Sequence, residues 1–104
     1  MNTEKSRSTL NVLFCIKKHK LLKSGEAPIF VRITIDGRRQ EIMIKRSIPA
    51  EQWNQAKECS KGKDRTAKEL NHYLDTVRAK ILQIHSDLIK EGSPVTSEAV
   101  RDRF

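Results

Sequence analysis

Apolar and polar residues alternate along the segment 27–46 with the two-residue period of a half-buried β-strand. The dipeptide Asp36-Gly37 interrupts this alternation near its middle. Asp-Gly favours a type I′ turn, because both central residues of that turn need a positive φ. The segment therefore predicts a β-hairpin in which Ile35 pairs with Arg38.

The predicted turn sets the register of the hairpin and sorts its side chains onto two faces. The apolar face consists of Ile29, Val31, Ile33, Ile42 and Ile44. The opposite face consists of Phe30, Arg32, Thr34, Arg39, Glu41, Met43 and Lys45. A slip of the third strand by one residue would turn Arg39 and Glu41 inward, because successive side chains of a strand point to opposite sides.

Two further segments complete the predicted fold. Residues 10–17 predict a first strand, and residues 64–91 predict a long helix whose apolar residues recur at spacings of three and four. Asp64 or Thr66 could cap the start of this helix, and Gly92 suits the position after its end. The apolar stripe consists of Ala67, Leu70, Leu74, Val77, Ile81, Ile84 and Leu88. The expected fold class is α+β, a three-stranded antiparallel sheet packed against one long C-terminal helix.

The remaining segments predict shorter features. Residues 1–9 are polar and partly basic, which predicts a flexible basic arm. Residues 47–54 predict a short helix with Pro49 in its first turn and Trp53 as an anchor at the edge of the core. Residues 96–100 predict the cap and first turn of another helix.

Composition argues against several classes of protein. A chain of 104 residues suffices for one domain. It has no apolar run near the ~18 residues of a membrane span and no apolar segment typical of a secretory signal, so a cytoplasmic protein is expected. The His and Cys residues lack metal-ligand spacing, and there is no glycine-rich phosphate loop. We therefore expect no cofactor, no metal and no small-molecule substrate, with an enzyme of unrecognised type as the alternative.

Positive charge is concentrated in the half of the chain that contains the hairpin. The net charge is +8, and residues 1–48 carry eleven Lys and Arg against four Asp and Glu, whereas residues 49–104 carry ten against nine. A localised basic surface is typical of nucleic-acid binding, and a β-sheet fits the major groove of duplex DNA. Duplex DNA is therefore the predicted partner.

The candidate DNA contacts fall into three groups. The sheet residues that could reach base edges or the adjacent backbone are Arg32, Thr34, Arg38, Arg39, Glu41 and Lys45. The lysines suited to phosphate contacts are Lys17, Lys18, Lys20 and Lys23. In the basic arm, Lys5 and Arg7 could reach the backbone or an adjacent minor groove. Arg32 opposite Glu41 is equally consistent with a cross-strand ion pair that has no role in DNA binding.

A series of short motifs resembles a known family in its order and spacing. In chain order these motifs are Lys17-Lys18, Gly25-Glu26-Ala27-Pro28-Ile29, Arg32-Ile33, Asp36-Gly37-Arg38, Pro49 followed by Trp53, then Asn71, Leu74 and Arg78-Ala79-Lys80-Ile81. Over about residues 10–92 the chain resembles the N-terminal arm-type DNA-binding domain of tyrosine recombinases. These are the integrases of phages and conjugative transposons, particularly the Bacteroides-type group.

The resemblance implies a sheet inserted in the major groove of arm-site repeats, with a contacting face formed by Arg32, Thr34, Arg39 and Glu41. Residues 93–104 would be a linker and the truncated start of a SAM-like core-binding domain. The family's catalytic Arg, His and Tyr belong to a C-terminal domain that this chain does not contain, so the fragment is expected to bind DNA without cleaving it. Other integrase subunits are further candidate partners, and DNA binding would place the protein at the bacterial nucleoid.

Two other binding functions stay open at this point. A helix of about 40 Å is longer than the strands, so its overhanging stripe could dock a neighbouring protein or form a short coiled coil. Alternatively, the sheet and helix could bind double-stranded RNA by shape.

Overall fold

The computed structural model describes residues 9–104, which form one three-stranded sheet, a two-stranded ribbon and two helices. The elements in chain order are β1 (Leu10–Ile16), β2 (Ala27–Ile35), β3 (Arg38–Ile48), a 3-10 turn (Ala50–Gln52), β4 (Trp53–Asn54), β5 (Cys59–Ser60), α1 (Arg65–Glu91) and α2 (Ser97–Arg103). The predicted α+β fold class is confirmed. None of the helices in this part of the chain combines the length and hydrophobicity needed to cross a bilayer.

The main sheet is antiparallel, with β2 between β1 and β3. Asp36 and Gly37 both have positive φ, 51° and 81°, as a type I′ turn requires. The predicted register is confirmed from the pair Ile35–Arg38 to the pair Phe30–Met43. The hairpin is thus aligned by its turn, and Arg39 and Glu41 keep their predicted side of the sheet.

Beyond Phe30 the hairpin departs from the predicted register. The pairing shifts between Pro28 and Phe30, so that Pro28 pairs with Ser47 and the expected direct pair of Ile29 with Ile44 is interrupted. Proline cannot donate a backbone hydrogen bond, and a bulge accommodates extra residues on one strand of a pair. The irregularity does not invert the core, because Ile29 and Ile44 both remain buried.

The core lies between α1 and the face of the sheet that we call the inner face, which consists of Leu10, Val12, Phe14, Ile16, Ile29, Val31, Ile33, Ile35, Ile42 and Ile44. Six of the seven residues of the predicted helical stripe are buried, and Leu70 is partly buried against the same cluster. Asp64 caps the helix, since its Oδ1 accepts a hydrogen bond from the Ala67 N–H at 2.9 Å. Gly92 follows the last turn with φ 73°, as predicted.

The connection from sheet to helix is more ordered than the sequence indicated. The short helix expected over residues 47–54 is a single 3-10 turn, and the last two residues of that segment instead form β4, which pairs with β5. Strands of two residues are too short to show a period. Trp53 is buried in the core, as predicted, and its Nε1–H donates to Gln55 Oε1 at 2.8 Å. Asn71 of α1 accepts the Ser60 N–H at 2.8 Å and so joins β5 to the helix.

The free edge of β1, on the side away from β2, is covered by side chains. Glu58 Oε1 accepts hydrogen bonds from the Phe14 N–H at 2.8 Å and from Arg78 Nη2 at 3.0 Å. Arg78 Nη1 donates to the Val12 carbonyl at 2.9 Å, and Gln55 donates to the Phe14 carbonyl at 2.8 Å. Unpaired groups at a sheet edge invite pairing with another chain. These three side chains therefore protect the β1 edge while they attach it to α1.

Helix α2 packs on the same core. Val100 is fully buried, Thr96 caps the helix through the Ala99 N–H, and Arg101 Nη1 donates to Gln40 Oε1 at 2.6 Å. Arg103 also forms two hydrogen bonds with Glu91 at the end of α1. Residues 97–103 are thus attached to the sheet and to α1, while the expectation that 93–104 lead into a following domain stays a prediction.

Candidate nucleic-acid interface

The surface of the sheet opposite α1, which we call the outer face, carries four of the six contacts predicted on the sheet. Its members, read from the strand register, are Asn11, Leu13, Cys15, Phe30, Arg32, Thr34, Arg39, Glu41 and Met43. Lys45 lies within the register shift of β3 and is exposed beside Met43. Arg32 lies directly opposite Glu41, and Thr34 lies opposite Arg39. The structure thus brings four predicted base contacts together on two adjacent cross-strand pairs.

One of these pairs belongs to an ion cluster. Glu41 Oε2 accepts hydrogen bonds from Arg32 Nε at 3.0 Å and from Arg32 Nη2 at 2.8 Å, and Oε1 accepts one from Lys17 Nζ at 2.6 Å. The hydrogen bonds from Lys17 and Arg32 lower the pKa of the Glu41 carboxyl, so it is ionised at neutral pH. Lys17 Nζ also lies 4.4 Å from the ring centroid of Phe30. Lys17, predicted as a phosphate contact, is therefore engaged within the protein.

Other cations on and beside the outer face have no such partner. Arg39 and Lys45 are exposed, and within residues 9–104 neither side chain forms an ion pair or a hydrogen bond. The same holds for the exposed lysines of the loop between β1 and β2, which are Lys18, Lys20 and Lys23. Such unpaired cations can neutralise phosphates without first breaking an internal contact.

The other predicted contacts are located elsewhere. Arg38 pairs with Ile35, so alternation directs it to the opposite side of the sheet from Arg39. There it lines a small cleft of about 190 Å³ together with Val95 and Ser97 beside α2. Lys5 and Arg7 lie outside the described residues.

An apolar groove adjoins the cationic part of the outer face. Leu22, Pro28 and Met43 line a shallow depression of about 240 Å³ together with Lys45. Met43 is 54 % exposed, although its neighbour across the ladder, Phe30, is half-buried. The hairpin alternation had placed Met43 on this face, but no sequence pattern indicated that Leu22 of the preceding loop would join it.

The histidines and cysteines form no further site in the described part of the chain. No group of three or more His, Cys, Asp or Glu side chains there could hold a metal ion. Cys15 and Cys59 are free thiols, and burial raises the pKa of Cys15 above its ordinary value. Cys15 on the outer face is therefore a neutral, half-buried thiol.

Comparison with known proteins identifies the fold that carries this surface. Residues 14–101 match the family described as the arm DNA-binding domain. The chain belongs to this family. No curated protein and no solved structure matches the chain. The match extends over most of the arm domain described above, from β1 into α2.

Several residues behind the original resemblance hold the arm domain together. Trp53 is in the core, Asn71 fastens β5, Leu74 belongs to the buried stripe, and Arg78 attaches α1 to the β1 edge. The predicted base contacts Arg32, Thr34, Arg39 and Glu41 lie instead on the outer face.

Proposed function

We propose that this arm domain binds duplex DNA in a sequence-specific manner by inserting the outer face of its sheet into the major groove of arm-type repeats. The observation that carries the proposal is the outer face itself, where Arg32, Thr34, Arg39 and Glu41 stand side by side on two neighbouring ladder pairs. These side chains can donate to or accept from base edges, and membership of the arm DNA-binding domain family supports DNA as the ligand.

The dimensions of the sheet suit the groove. Three strands spaced by ~4.8 Å make a backbone layer about 10 Å across, and the major groove of B-DNA is about 12 Å wide. Unpaired lysines in the β1–β2 loop would then lie beside the phosphate backbone. Double-stranded RNA is a poorer fit, because the major groove of A-form RNA is too deep and narrow for protein side chains to read.

Protein docking through α1 is less well supported than DNA binding, because most of the apolar stripe of α1 is buried. The stripe, predicted to overhang the sheet or to meet another element, is buried as far as Leu88, which is 2 % exposed, because α2 and its preceding loop pack against the same cluster through Val95, Val100 and Phe104. Exposed large hydrophobic residues on α1 are limited to Leu82 and Ile89 in the described part of the chain.

The wider context is also part of the proposal. The arm domain would be the N-terminal domain of a tyrosine recombinase that integrates DNA, and it would contribute binding while a separate catalytic domain cleaves and rejoins the strands. It would act with other integrase subunits at repeated arm-type sites. The chain itself would then show no cleavage activity.

A selection followed by titration tests this function. Duplexes with a randomised segment are selected on the wild-type protein, and the affinity for the recovered sequence is compared with that for a scrambled duplex and a duplex RNA of equal length. We expect the selected DNA to bind most tightly, with an affinity that falls steeply with salt, by a log–log slope of about −0.9 for each phosphate neutralised. Equal affinity for all three duplexes would contradict sequence-specific recognition.

Chemical-shift mapping with the selected duplex locates the surface. Shifts concentrated on the outer face of β2 and β3 support the proposed geometry. Shifts concentrated on the exposed flank of α1 would instead favour the docking alternative.

A further inference from the structure

The guanidinium of Arg32 is held along one edge and open along the other. Its Nε and Nη2 both donate to Glu41 Oε2, at 3.0 and 2.8 Å. Nη1 donates to no group in residues 9–104, and Nη2 has a second hydrogen beyond the one given to Glu41. The edge formed by Nη1 and Nη2 is therefore available, on a side chain that is 31 % exposed.

The carboxylate that holds Arg32 is itself fixed from its other side. Lys17 Nζ donates to Glu41 Oε1 at 2.6 Å, and the same ammonium group lies over the ring of Phe30. Glu41 therefore has a partner on each oxygen, and the carboxylate that holds Arg32 cannot swing away without also breaking its hydrogen bond with Lys17. An arginine held in this way has already lost much of the side-chain freedom that binding would otherwise remove.

The position of Arg32 adds to this restraint. It lies on β2, the central strand, so neighbouring strands flank it on both sides. A residue on the middle strand points toward the floor of any groove that receives the sheet. Arg39 is on the edge strand, opposite Thr34, and no described side chain restrains it.

We propose that Arg32 reads a guanine, and that Glu41 and Lys17 are positioning residues that present its Nη1–Nη2 edge to the base. This inference rests on the proposed function. Guanine offers two acceptors in the major groove, N7 and O6, and their spacing matches two N–H groups of one arginine edge. In this arrangement Glu41 orients Arg32 rather than reading cytosine, since three of the roughly four acceptor positions of its carboxylate are taken by Arg32 and Lys17.

Base-analogue substitution in the selected duplex tests the pairing. Each guanine is replaced in turn by 7-deazaguanine, which lacks the N7 acceptor, and affinities are measured for the wild type and for Arg32→Ala. We expect one guanine at which the wild type loses about 5- to 150-fold in affinity and Arg32→Ala loses nothing further. Arg39→Ala is the matched control, and it should remain sensitive at that guanine.

The positioning roles are tested by the same analogue. Glu41→Gln retains the size and an acceptor oxygen but removes the charge that holds both cations. We expect it to fold, to bind the selected duplex more weakly and to show a reduced penalty at the Arg32-dependent guanine. Lys17→Met, which removes the second restraint, should show a smaller reduction of that penalty. Thermal unfolding of each variant separates these effects from loss of structure, since a purely structural role would not alter the response to one base.

The outcomes are distinct. If Arg32→Ala stays as sensitive as the wild type at every guanine, or if Glu41→Gln keeps the full wild-type penalty at the Arg32-dependent guanine, the inference is wrong while DNA binding stands. If Glu41→Gln alters the preference at a cytosine only, Glu41 itself reads the base and the assignment is likewise overturned. If the wild type selects no sequence at all, the proposed function fails as well.

Discussion

The inner and outer faces of the sheet are formed by alternate residues of the same strands, but they differ in how their side chains are accommodated. On the inner face of β2, Ile29, Val31 and Ile33 are each fully buried. On the outer face of the same strand, Phe30, Arg32 and Thr34 are only half-buried. Burial of apolar area stabilises the fold, whereas partly exposed polar groups remain able to exchange water for a ligand. Substitutions on the two faces should therefore change different measurements.

The largest effect is expected on the inner face. Ile33→Ala removes buried methyl and methylene groups from the central strand, and it should lower the free energy of unfolding by about 2–5 kcal/mol. Its neighbour Thr34 faces outward, so Thr34→Ala should cost no more than the ~1 kcal/mol span of strand propensity. Chemical denaturation measures both. A Thr34→Ala loss as large as that of Ile33→Ala would break the distinction between the faces.

The protected edge of β1 should give the next largest change. Glu58→Ala leaves the Phe14 N–H without its acceptor and Arg78 without its carboxylate, so it should destabilise the fold by about 1–3 kcal/mol. Glu58→Gln is the matched control, because it retains an acceptor and the same constraint at a residue with φ 55°. Denaturation curves should rank wild type above Gln and Gln above Ala. Equal stability of the Ala and Gln variants would show that the edge hydrogen bond contributes little.

On the outer face, Arg39→Ala should affect binding and leave unfolding unchanged. Arg39 lies on an edge strand and is exposed and unpaired within the described residues, so of its two possible contacts, base edge or adjacent backbone, we expect the phosphate, and its loss should weaken binding to selected and scrambled duplexes alike. The slope of log affinity against log salt should fall by about 1 in magnitude, as expected for one phosphate contact. Fluorescence titration at several salt concentrations measures this. A loss confined to the selected duplex would instead make Arg39 a base contact.

The smallest expected effect is the pH dependence of the Glu41 cluster. Because the hydrogen bonds from Lys17 and Arg32 lower the pKa of Glu41 from its ordinary 4.5, the stabilisation they give is present above that value. It is lost as the pH falls through the lowered pKa of the folded state. The difference in Tm between wild type and Glu41→Gln should therefore shrink as the pH is lowered from 7 to about 3. A difference that is constant over that range would show that the cluster contributes through shape alone.

Local patterns were sufficient to predict much of this molecule. Alternation around Asp36-Gly37 predicted both the turn and the pairing of Arg32 with Glu41, because a two-residue loop leaves only one register that buries the isoleucines. The spacing of apolar residues predicted α1, and Asp64 and Gly92 predicted its ends. The predicted hairpin register is wrong near Pro28. A bulge there changes the pairing of the strands without changing which residues are apolar.

The sequence predicts which residues form the candidate site, but not all of the contacts that their side chains make. Sequence periodicity places Arg32, Arg39 and Glu41 on one face and sets Arg32 opposite Glu41, yet it does not show that Lys17 joins them. Lys17 looked like a phosphate contact because it follows a strand, and only the fold brings its ammonium group within 2.6 Å of Glu41. The difference between the restrained Arg32 and the unrestrained Arg39 therefore depends partly on Lys17, which directly follows β1.

What the sequence determined by itself was the set of elements and the face on which each hairpin residue lies, because both follow from periods of a few residues. What only the tertiary structure decided were the contacts between residues far apart in the chain. Arg78 meets the Val12 carbonyl across 66 positions, and Arg101 meets Gln40 across 61. Such contacts depend on how strands and helices are arranged in space, and no local period encodes them. The outer face and its Arg32–Glu41 pair thus follow from the sequence, while the contact of Lys17 with that pair follows from the fold.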